Sequence, residues 1–448
     1  MSGVVVIGCA RTGVAVAGRL RAEGAAVTVI EECPGPSETY RERAAAVRAC
    51  GAELLEAPSA RDAAARVAAA DLLVPSPLVA PDHPLVAVAG SAGVPVRAEI
   101  DLAADRAGVP LVAVTGTNGK TTVTSLTAAL LVASGARAAA AGNIGRPLIE
   151  AVGDDDLDVI VAEVSSFQLA FAPAFRPQVA VLLAVTPDHL DWHGDFDAYA
   201  AAKSRITAGQ GSDAVLVYDA DDPTARGIAA GSRALRAGVS VRADAAGCAR
   251  VVDGDLVAAD GTVIAAVASL RRALDHDLTN ALAGATAAAA AGATAEGVRS
   301  GLASYETMPH RVALVGESGG VRWYDDSKAT NPDAAVRAVS SFPSVVLLAG
   351  GRNKGLDLSV LARTADRLRG VVAFGEAAPE VVAAFAGTAV PIVTAGSVPE
   401  AVDAAANLAR PGDAVLLSPA CASFDAYDGY AARGDDFAAA VRARETTP

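Results

Sequence analysis

The sequence predicts an α/β protein with three domains and mostly parallel sheets. Its length of 448 residues exceeds what a single hydrophobic core usually supports. Short apolar strands alternate with helical segments along the whole chain, which is typical of parallel sheets covered by helices. One boundary is indicated after Arg97, before a new strand at 111–114, and the pattern restarts again near Tyr305. We therefore expect domains at residues 1–98, 99–306 and 307–448.

The first domain opens with a strand, a glycine turn, a helix and a second strand. Apolar residues 4–7 precede a turn from Gly8 to Gly13, a helical stretch reaches Glu23, and residues 27–30 are apolar again. This order indicates a Rossmann-like unit. The turn lacks the middle glycine of the G-x-G-x-x-G signature, which argues against a nicotinamide-dependent oxidoreductase.

The second domain contains a glycine-rich loop that predicts phosphate binding. An apolar strand at 111–114 leads into the loop, and a helix follows it to about Ser134. Backbone N–H groups of such a loop face phosphate oxygens, its lysine reaches the outer phosphates, and its threonine can bind Mg²⁺. The spacing in G-T-N-G-K-T is shorter than in the common P-loop and resembles the form seen in ATP-dependent amide ligases. We expect a P-loop ATPase α/β domain that binds nucleotide through Gly116, Thr117, Asn118, Gly119, Lys120, Thr121 and Thr122.

Two later strands of this domain end beside residues that suit a metal site. The strand at 159–162 ends in Glu163, and His189 follows the apolar run at 179–185. Sites in α/β proteins form at the carboxyl ends of parallel strands. We expect Glu163 to serve as a Mg²⁺ carboxylate and His189 to contact metal or substrate.

Lysine is rare in this chain, which makes each lysine informative. The sequence has four lysines against 33 arginines, and each of the four lies in a recognisable chemical motif. An ammonium is a compact charge and can lose its proton. A guanidinium is planar with a delocalised charge, and it stays protonated. Lys203, on a helix predicted from Tyr199 to Ile206, is a candidate to add CO₂ and become a metal-binding carbamate. An ordinary surface lysine is the alternative.

The third domain shows a second Rossmann-like alternation of strands and helices. Its predicted strands lie at 321–324, 345–348, 371–374 and 415–417. Two of the four lysines follow these strands. Lys328 lies in D-S-K-A-T-N-P after the strand at 321–324, and Lys354 lies in G-G-R-N-K-G after the strand at 345–348.

Bulk composition excludes several classes of protein. The net charge of -14 argues against a nucleic-acid partner. There is no long uncharged apolar run and no basic-then-apolar start, so we expect a cytoplasmic protein without membrane insertion. Five scattered cysteines form no metal or disulfide pattern, which favours a reducing compartment. We expect a monomer.

Eight motifs, in this order along the chain, resemble the Mur ligase superfamily, ATP-dependent enzymes that build the peptide of bacterial cell-wall precursors. The motifs are G-T-N-G-K-T (116–121), A-G-N-I-G (141–145), E-V-S-S-F-Q-L (163–169), T-P-D-H-L-D (186–191), A-A-K-S-R-I (201–206), M-P-H-R (308–311), D-S-K-A-T-N-P (326–332) and L-S-P-A-C-A-S-F-D (417–425). The last motif, followed by Tyr430 and Arg433, is most specific for the members that add D-glutamate. The resemblance implies UDP-N-acetylmuramoyl-L-alanine, D-glutamate and ATP as substrates, one for each domain in the order 1–98, 307–448 and 99–306.

The resemblance also implies roles for individual residues. Further ATP contacts are implied for Asn280, Arg311 and Asp326. Two Mg²⁺ ions are implied, with Thr121, Glu163, His189 and a carbamate on Lys203 as ligands, so that Lys120, Glu163, His189 and Lys203 form the catalytic set. The UDP-substrate set is Ala10, Arg11, Thr12, Glu31, Ser76, Asn143, Gln168 and His189. The D-glutamate set is Lys328, Thr330, Lys354, Ser423, Phe424 and Tyr430.

Some positions depart from the family pattern, and some related activities remain as alternatives. Asp277 stands where the family often has asparagine, and Leu78 stands where a glycine often follows Ser-Pro. A Mur-type ligase for L-glutamate is one alternative. A folylpolyglutamate-synthase-like ligase is another, although its loop lies near its start, whereas about 100 residues precede Gly116 here. A nucleotide switch is a third, and it would not need the other lysine motifs.

Overall fold

The computed structural model describes residues 3–445 and contains three β-sheets flanked by helices. The predicted mixed α/β class with mostly parallel sheets is confirmed. By their internal contacts the described residues divide into two compact units. The first unit comprises the chain up to Val185, Asp197–Ala273 and Asp277–Tyr305, and the second comprises Thr186–Phe196, Leu274–His276 and the chain from Glu306. The three domain boundaries expected from the sequence stay predictions.

The first sheet has four parallel strands in the order β3-β2-β1-β4. Its strands are β1 (Gly3–Ile7), β2 (Ala26–Glu31), β3 (Glu53–Glu56) and β4 (Leu72–Pro75). The helices of this part are α1 (Arg11–Ala22), α2 (Glu38–Ala49), α3 (Ala60–Ala68), α4 (Pro84–Ala92) and α5 (Glu99–Ala104). The β1–α1 turn is tight, because a Cβ added at Gly13 would lie 2.0 Å from the Gly8 carbonyl oxygen.

The second sheet has nine strands in the order β13-β12-β11-β10-β9-β8-β5-β7-β6. They are β5 (Leu111–Thr115), β6 (Ala138–Gly142), β7 (Val159–Glu163), β8 (Val179–Leu182), β9 (Val215–Asp219), β10 (Leu235–Ser240), β11 (Ala249–Val252), β12 (Asp255–Val257) and β13 (Val263–Ala266). Its neighbouring strands are parallel except for the antiparallel pairs β11–β12 and β12–β13. The sequence analysis did not predict this antiparallel extension.

The helices that follow along the chain connect or cover these strands. They are α6 (Lys120–Ala133), α7 (Leu148–Ala151), α8 (Ser166–Ala170), α9 (Leu190–His193), α10 (Phe196–Ser204), α11 (Pro223–Ala230), α12 (Asp275–Ala290) and α13 (Ala295–Ser304), with 3₁₀ turns at Arg205–Thr207 and Val267–Ser269. The alanine-rich helix α12 packs into the interior, since residues 280–285 are all buried. Small residues let helices approach closely here: a Cβ at Gly284 would lie 2.9 Å from a Leu126 methyl carbon.

The third sheet has six strands in the order β14-β15-β19-β16-β17-β18. They are β14 (Ala313–Ser318), β15 (Val321–Asp325), β16 (Val345–Gly350), β17 (Leu368–Phe374), β18 (Ile392–Ala395) and β19 (Ala414–Ala420). The surrounding helices are α14 (Pro332–Ser340), α15 (Ala378–Ala384), α16 (Val398–Leu408) and α17 (Tyr430–Glu445), with a 3₁₀ segment at Leu358–Arg367. Alternate residues of β16 enter cores on opposite faces, which explains its continuous apolar sequence.

Across residues 3–445, no helix has both the length and the apolar character needed to cross a bilayer.

A buried carboxyl group lies at the start of α5. The Glu99 side chain is 2% exposed, and its Oε1 accepts a hydrogen bond of 2.6 Å from the backbone N–H of Ile149 in α7. Burial raises the pKa of Glu99 from 4.5 to about 7, although the hydrogen bonds from the α7 backbone oppose this rise. The folded protein therefore holds a proton on Glu99 in a pH range where the unfolded chain has lost it.

We predict that Glu99→Gln changes how stability depends on pH. Because the pKa of Glu99 is raised on folding, its contribution to stability is complete below about pH 4.5 and is lost as the pH rises through about 7. That loss corresponds to about 3 kcal/mol. As the pH rises from 5 to 8, the free energy of unfolding of the wild type should therefore fall by about that amount relative to that of the variant. Urea unfolding at each pH measures both free energies.

The exposed Glu42 on α2 offers the matched control, because Glu42→Gln should leave the pH profile of stability unchanged. Parallel profiles for wild type and Glu99→Gln would contradict the pKa assigned to this carboxyl group.

Candidate active site

The glycine-rich loop connects β5 to α6 in the first unit. Gly116 and Gly119 have φ values of +150° and +81°, which favour glycine. Added Cβ atoms would lie 2.6 Å from the Leu183 Cβ at the first position and 2.6 Å from the Asn280 Oδ1 at the second. Both glycines are therefore required by backbone conformation and by close approach.

The end of α6 that faces this loop is suited to bind an anion. Gly119 caps the 14-residue helix without a side-chain hydrogen bond, and no acidic residue lies in the first turn. The helix N-terminus thus presents backbone N–H groups and the positive end of its dipole. The Lys120 ammonium lies over the loop and donates to the carbonyl oxygens of Gly116 and Thr117 at 3.0 and 2.9 Å.

A second lysine reaches the same loop from α10. The Lys203 side chain is 1% exposed, and its Nζ donates to the Gly116 carbonyl oxygen at 2.7 Å. The ammonium also lies 4.6 Å from the centre of the Tyr199 ring, and the Tyr199 hydroxyl is 3.0 Å from the Thr117 hydroxyl. The surface-lysine alternative is therefore wrong for Lys203. Its amine is therefore shielded from bulk water beside the phosphate-binding loop.

A buried carboxylate completes the cluster around this loop. Glu163 is 2% exposed at the end of β7 and is in register with Val114 of β5. Its Oε1 accepts a hydrogen bond of 2.8 Å from the Asn143 amide. Within residues 3–445 its Oε2 has no hydrogen-bond partner although it is buried. A buried carboxylate oxygen in this state fits a cation ligand, so the residues present suit the expected Mg²⁺.

The structure explains the positions of Asn280 and of Asp277, the aspartate that departs from the family pattern. Asn280 lies in α12 and brings its side chain against Gly119, so the predicted ATP contact adjoins the loop. Asp277 forms two hydrogen bonds of 2.6 and 2.7 Å with the Arg272 guanidinium. An aspartate at this position therefore binds an arginine, which an asparagine would do less strongly.

The residues predicted to bind the UDP substrate are divided among several places: Ala10, Arg11, Thr12 and Glu31 lie around the β1–α1 turn, Ser76 follows β4, Asn143 and Gln168 follow β6 and β7, and His189 belongs to the second unit. Ala10, Arg11 and Thr12 form the start of α1, whose N-terminus has no side-chain cap. Glu31 accepts hydrogen bonds from the backbone N–H groups of Cys9 and Cys33 at 2.8 and 3.0 Å.

Two of the residues in this set are buried, with different local roles. Ser76 follows β4, and its buried hydroxyl has no hydrogen-bond partner in the part of the chain described. Gln168 forms a capping box with Ser165 at the start of α8. In this capping box the amide oxygen of Gln168 accepts a hydrogen bond from the backbone N–H of Ser165. Substrate contact by these residues stays a prediction.

In the second unit, Lys354 is paired with a residue that the sequence analysis did not single out. Its ammonium lies 2.8 Å from Asp188 Oδ1, and Asn331 donates to Asp188 Oδ2 at 3.1 Å. His189 follows in a left-handed conformation, with φ of +53°. Asp188 lies in the T-P-D-H-L-D motif, from which the sequence analysis selected only the histidine as a site residue.

The predicted nucleotide contact Asp326 is deeply buried beside β19. Its Oδ2 accepts a hydrogen bond of 2.7 Å from the Ser418 hydroxyl. Burial raises the pKa of Asp326 to about 7, while the Ser418 hydrogen bond and the charge of Arg311 act in the opposite direction. Asp326 and Arg311 thus interact electrostatically, as expected for residues of one site.

Arg433 organises the region predicted to bind D-glutamate. Its guanidinium is fully buried and donates to Ser327 Oγ and Ser327 O at 2.9 Å and to the carbonyl oxygens of Cys421 and Ala422 at 3.1 to 3.2 Å. Burial lowers the pKa of Arg433 to about 10. The sequence analysis quoted this arginine only as part of a motif. In the structure it joins the chain segments that carry Lys328 and Ser423.

The other residues of the D-glutamate set differ in their surroundings. The Lys328 ammonium lies 3.8 Å from the centre of the Tyr430 ring, and Ser423 is buried. The Thr330 backbone N–H donates to the Lys328 carbonyl oxygen. Phe424 is 64% exposed, and its contact with D-glutamate stays a prediction.

The sequence matches two models of a single enzyme family. Residues 114–288 match the Mur ligase middle domain, and residues 310–421 match the Mur ligase glutamate ligase domain. Among curated relatives, the UDP-N-acetylmuramoylalanine--D-glutamate ligase of Frankia casuarinae is 44% identical over 99% of this chain and 94% of that protein. The protein of the same name from Streptomyces avermitilis is 40% identical over 98% and 97%.

Solved structures of related enzymes share the fold. The MurF ligase from Thermotoga maritima in complex with ADP has a TM-score of 0.59 and 18% identity, over 94% of this chain and 96% of that one. A bifunctional folylpolyglutamate synthase/dihydrofolate synthase from Yersinia pestis, complexed with AMPPNP and Mn ion, has a TM-score of 0.53 and 17% identity, over 76% and 92%.

Proposed function

This chain belongs to the Mur ligase family, and we propose that it joins D-glutamate to UDP-N-acetylmuramoyl-L-alanine with ATP, giving ADP and phosphate. The observation that carries the proposal is the cluster at Gly116, where a phosphate-binding loop adjoins two lysines and a buried carboxylate. The reaction belongs to the synthesis of peptidoglycan precursors.

The chemistry begins with activation of the carboxylate of the alanine. Its oxygen attacks the γ-phosphorus of ATP, the bond to the ADP oxygen breaks, and an acyl phosphate forms. The N-terminus of α6 and the Lys120 ammonium bind and orient the phosphates, and they offset the repulsion between two anionic reactants. The amine of D-glutamate then attacks the acyl carbon, and phosphate leaves.

Four residues are our candidates to hold two Mg²⁺ ions: Thr121, Glu163, His189 and Lys203 as its carbamate. When bound, the ions would supply positive charge that offsets the repulsion between the two anionic reactants. The support in this chain is the unpartnered oxygen of Glu163 and the burial of Lys203. Both lie where β5, β7 and α10 approach the loop.

The protein acts in the cytoplasm as a monomer under this proposal. The five cysteines are all unpaired in the structure, as they would be in a reducing compartment. Sedimentation of the purified chain measures the oligomeric state.

The proposed function is tested by phosphate release with a panel of amino acids. Purified protein is supplied with ATP, Mg²⁺ and UDP-N-acetylmuramoyl-L-alanine, and each amino acid is added in turn. We expect release with D-glutamate and little with L-glutamate. Equal use of L-glutamate would favour the L-glutamate-adding alternative, and release with a folate acceptor would favour the folylpolyglutamate alternative. Release without any amino acid would favour a nucleotide switch.

We predict that Lys354→Ala raises the KM for D-glutamate roughly 30-fold or more, as expected when a charge-assisted contact is lost from a buried site. Lys354 would bind one carboxylate of the amino acid, while Thr330 and Ser423 would bind the other. The KM for ATP should stay near the wild-type value. Steady-state kinetics with each substrate varied in turn measure both constants, and an unchanged D-glutamate KM would show that the pocket is misassigned.

A further inference from the structure

Asp188 lies at the centre of a buried hydrogen-bond network in the second unit. It is 5% exposed, and both of its carboxylate oxygens accept hydrogen bonds. Oδ1 accepts from the Lys354 ammonium at 2.8 Å and from the backbone N–H of His189 at 2.9 Å. Oδ2 accepts from the Asn331 amide at 3.1 Å. Three donors from three places in the chain therefore hold one carboxylate.

The partners of Asp188 are themselves fixed. Asn331 is the N-cap of α14, and its Oδ1 accepts a hydrogen bond of 2.9 Å from the Ala334 backbone N–H. Its amide therefore joins Asp188 to the start of a helix. Lys354 follows the Gly350–Gly351 turn after β16, and its side chain is 18% exposed. A long side chain on such a loop loses considerable rotamer freedom when it is held in one place.

The ion pair between Asp188 and Lys354 can affect the binding of a substrate carboxylate in two ways. Asp188 could occupy the place that the substrate needs, or it could hold the lysine in position for the substrate. The number of donors decides between them. A carboxylate held by three hydrogen bonds is costly to displace from a buried site. An ammonium has three N–H donors, and the contact with Asp188 uses one of them.

We propose that Asp188 is a positioning residue that fixes the Lys354 ammonium for the carboxylate of the amino-acid substrate. This inference rests on the proposed function, because it takes Lys354 as a contact of D-glutamate. The backbone N–H of His189 also donates to this carboxylate, and the side-chain oxygen of an asparagine can keep that contact.

The test is the Asp188→Asn variant, assayed for phosphate release with each substrate varied in turn. Removal of the charge weakens the contact to Lys354 and brings an amide N–H₂ group toward the Asn331 amide. We expect the KM for D-glutamate to rise roughly 10-fold or more, as for loss of a hydrogen bond to a charged group. The KM values for ATP and the UDP substrate should change less than about 3-fold, within the range of an uncoupled site.

A double-mutant cycle separates positioning from general damage to the structure. In a Lys354→Ala background, Asp188→Asn should raise the D-glutamate KM little further, because its effect acts through Lys354. Additive effects in the cycle would overturn the proposal. Asp191→Asn, an exposed aspartate in the same segment, is the matched control and should have wild-type kinetics.

A second variant covers the case in which Asp188→Asn does not fold. Asn331→Ser keeps a side-chain oxygen that can cap α14 but is too short to reach Asp188. It should raise the D-glutamate KM in the same direction by a smaller factor. A lowered or unchanged KM in these variants would overturn the positioning role alone, and a lowered KM would indicate that Asp188 blocks the site. Absence of any D-glutamate-dependent release by the wild-type protein would overturn the proposed function as well.

Discussion

Lys120→Ala is expected to lower turnover roughly 10³-fold or more, as for loss of a few kcal/mol of transition-state stabilisation. The Lys120 ammonium lies over the loop, within 3.0 Å of two of its carbonyl oxygens, at the N-terminus of a helix that has no acidic first turn. Bound phosphates would replace these carbonyl oxygens as its partners. Initial rates of phosphate release at saturating substrates measure the effect.

The control for this prediction is binding of the UDP substrate, measured by calorimetry on the same variant. Four of its predicted contacts, Ala10, Arg11, Thr12 and Glu31, lie around the β1–α1 turn, and Lys120 is not among the predicted contacts, so its affinity should hardly change. Arg137→Ala, which removes an exposed cation from the same unit, should keep normal turnover. A large loss of UDP-substrate affinity in Lys120→Ala would contradict the assignment of separate sites.

Lys203→Ala is expected to abolish most activity, and Lys203→Arg should be equally inactive because a guanidinium cannot carry CO₂. The structure strengthens this prediction, since the Lys203 amine is buried and lies 2.7 Å from the Gly116 carbonyl oxygen. Chloride with a short carboxylic acid should partly restore the alanine variant by replacing the missing carbamate oxygens. Phosphate release with and without these additives measures the rescue.

The carbamate itself has a direct spectroscopic readout. Wild-type protein equilibrated with ¹³C-labelled bicarbonate should show a carbamate carbon signal by NMR, and that signal should be absent from Lys203→Ala. Thermal unfolding of the variants excludes loss of the fold as the cause of inactivity. Full activity of Lys203→Arg would contradict the carbamate.

Much of the fold could be predicted because its central strands are buried on both faces. The runs at 159–162 and 345–349 are continuously apolar, and they are followed by Glu163 and Gly350. The antiparallel strands β12 and β13 were missed because they have only three and four residues. Strands β14 and β18 were missed because exposed and half-buried residues interrupt their apolar pattern.

The candidate site was predictable where its geometry is local in sequence. The loop from Gly116 to Thr122 carries its own glycines, lysine and helix start within seven residues. The contact between Lys203 and Gly116 joins residues 87 positions apart, and that between Lys354 and Asp188 joins residues 166 apart. Such contacts depend on how strands are ordered in a sheet, which local pattern does not determine. The role of Arg433 was not predicted for the same reason, because it binds Ser327, 106 positions away in the chain.

The central claim is that this chain forms an amide between UDP-N-acetylmuramoyl-L-alanine and D-glutamate through an acyl phosphate. The most direct measurement uses UDP substrate labelled with ¹⁸O in the alanine carboxylate, followed by mass spectrometry of both products. The account predicts a UDP product heavier by one glutamate residue and one ¹⁸O atom transferred to the released phosphate. Phosphate without ¹⁸O, or no glutamate-containing product, would contradict it.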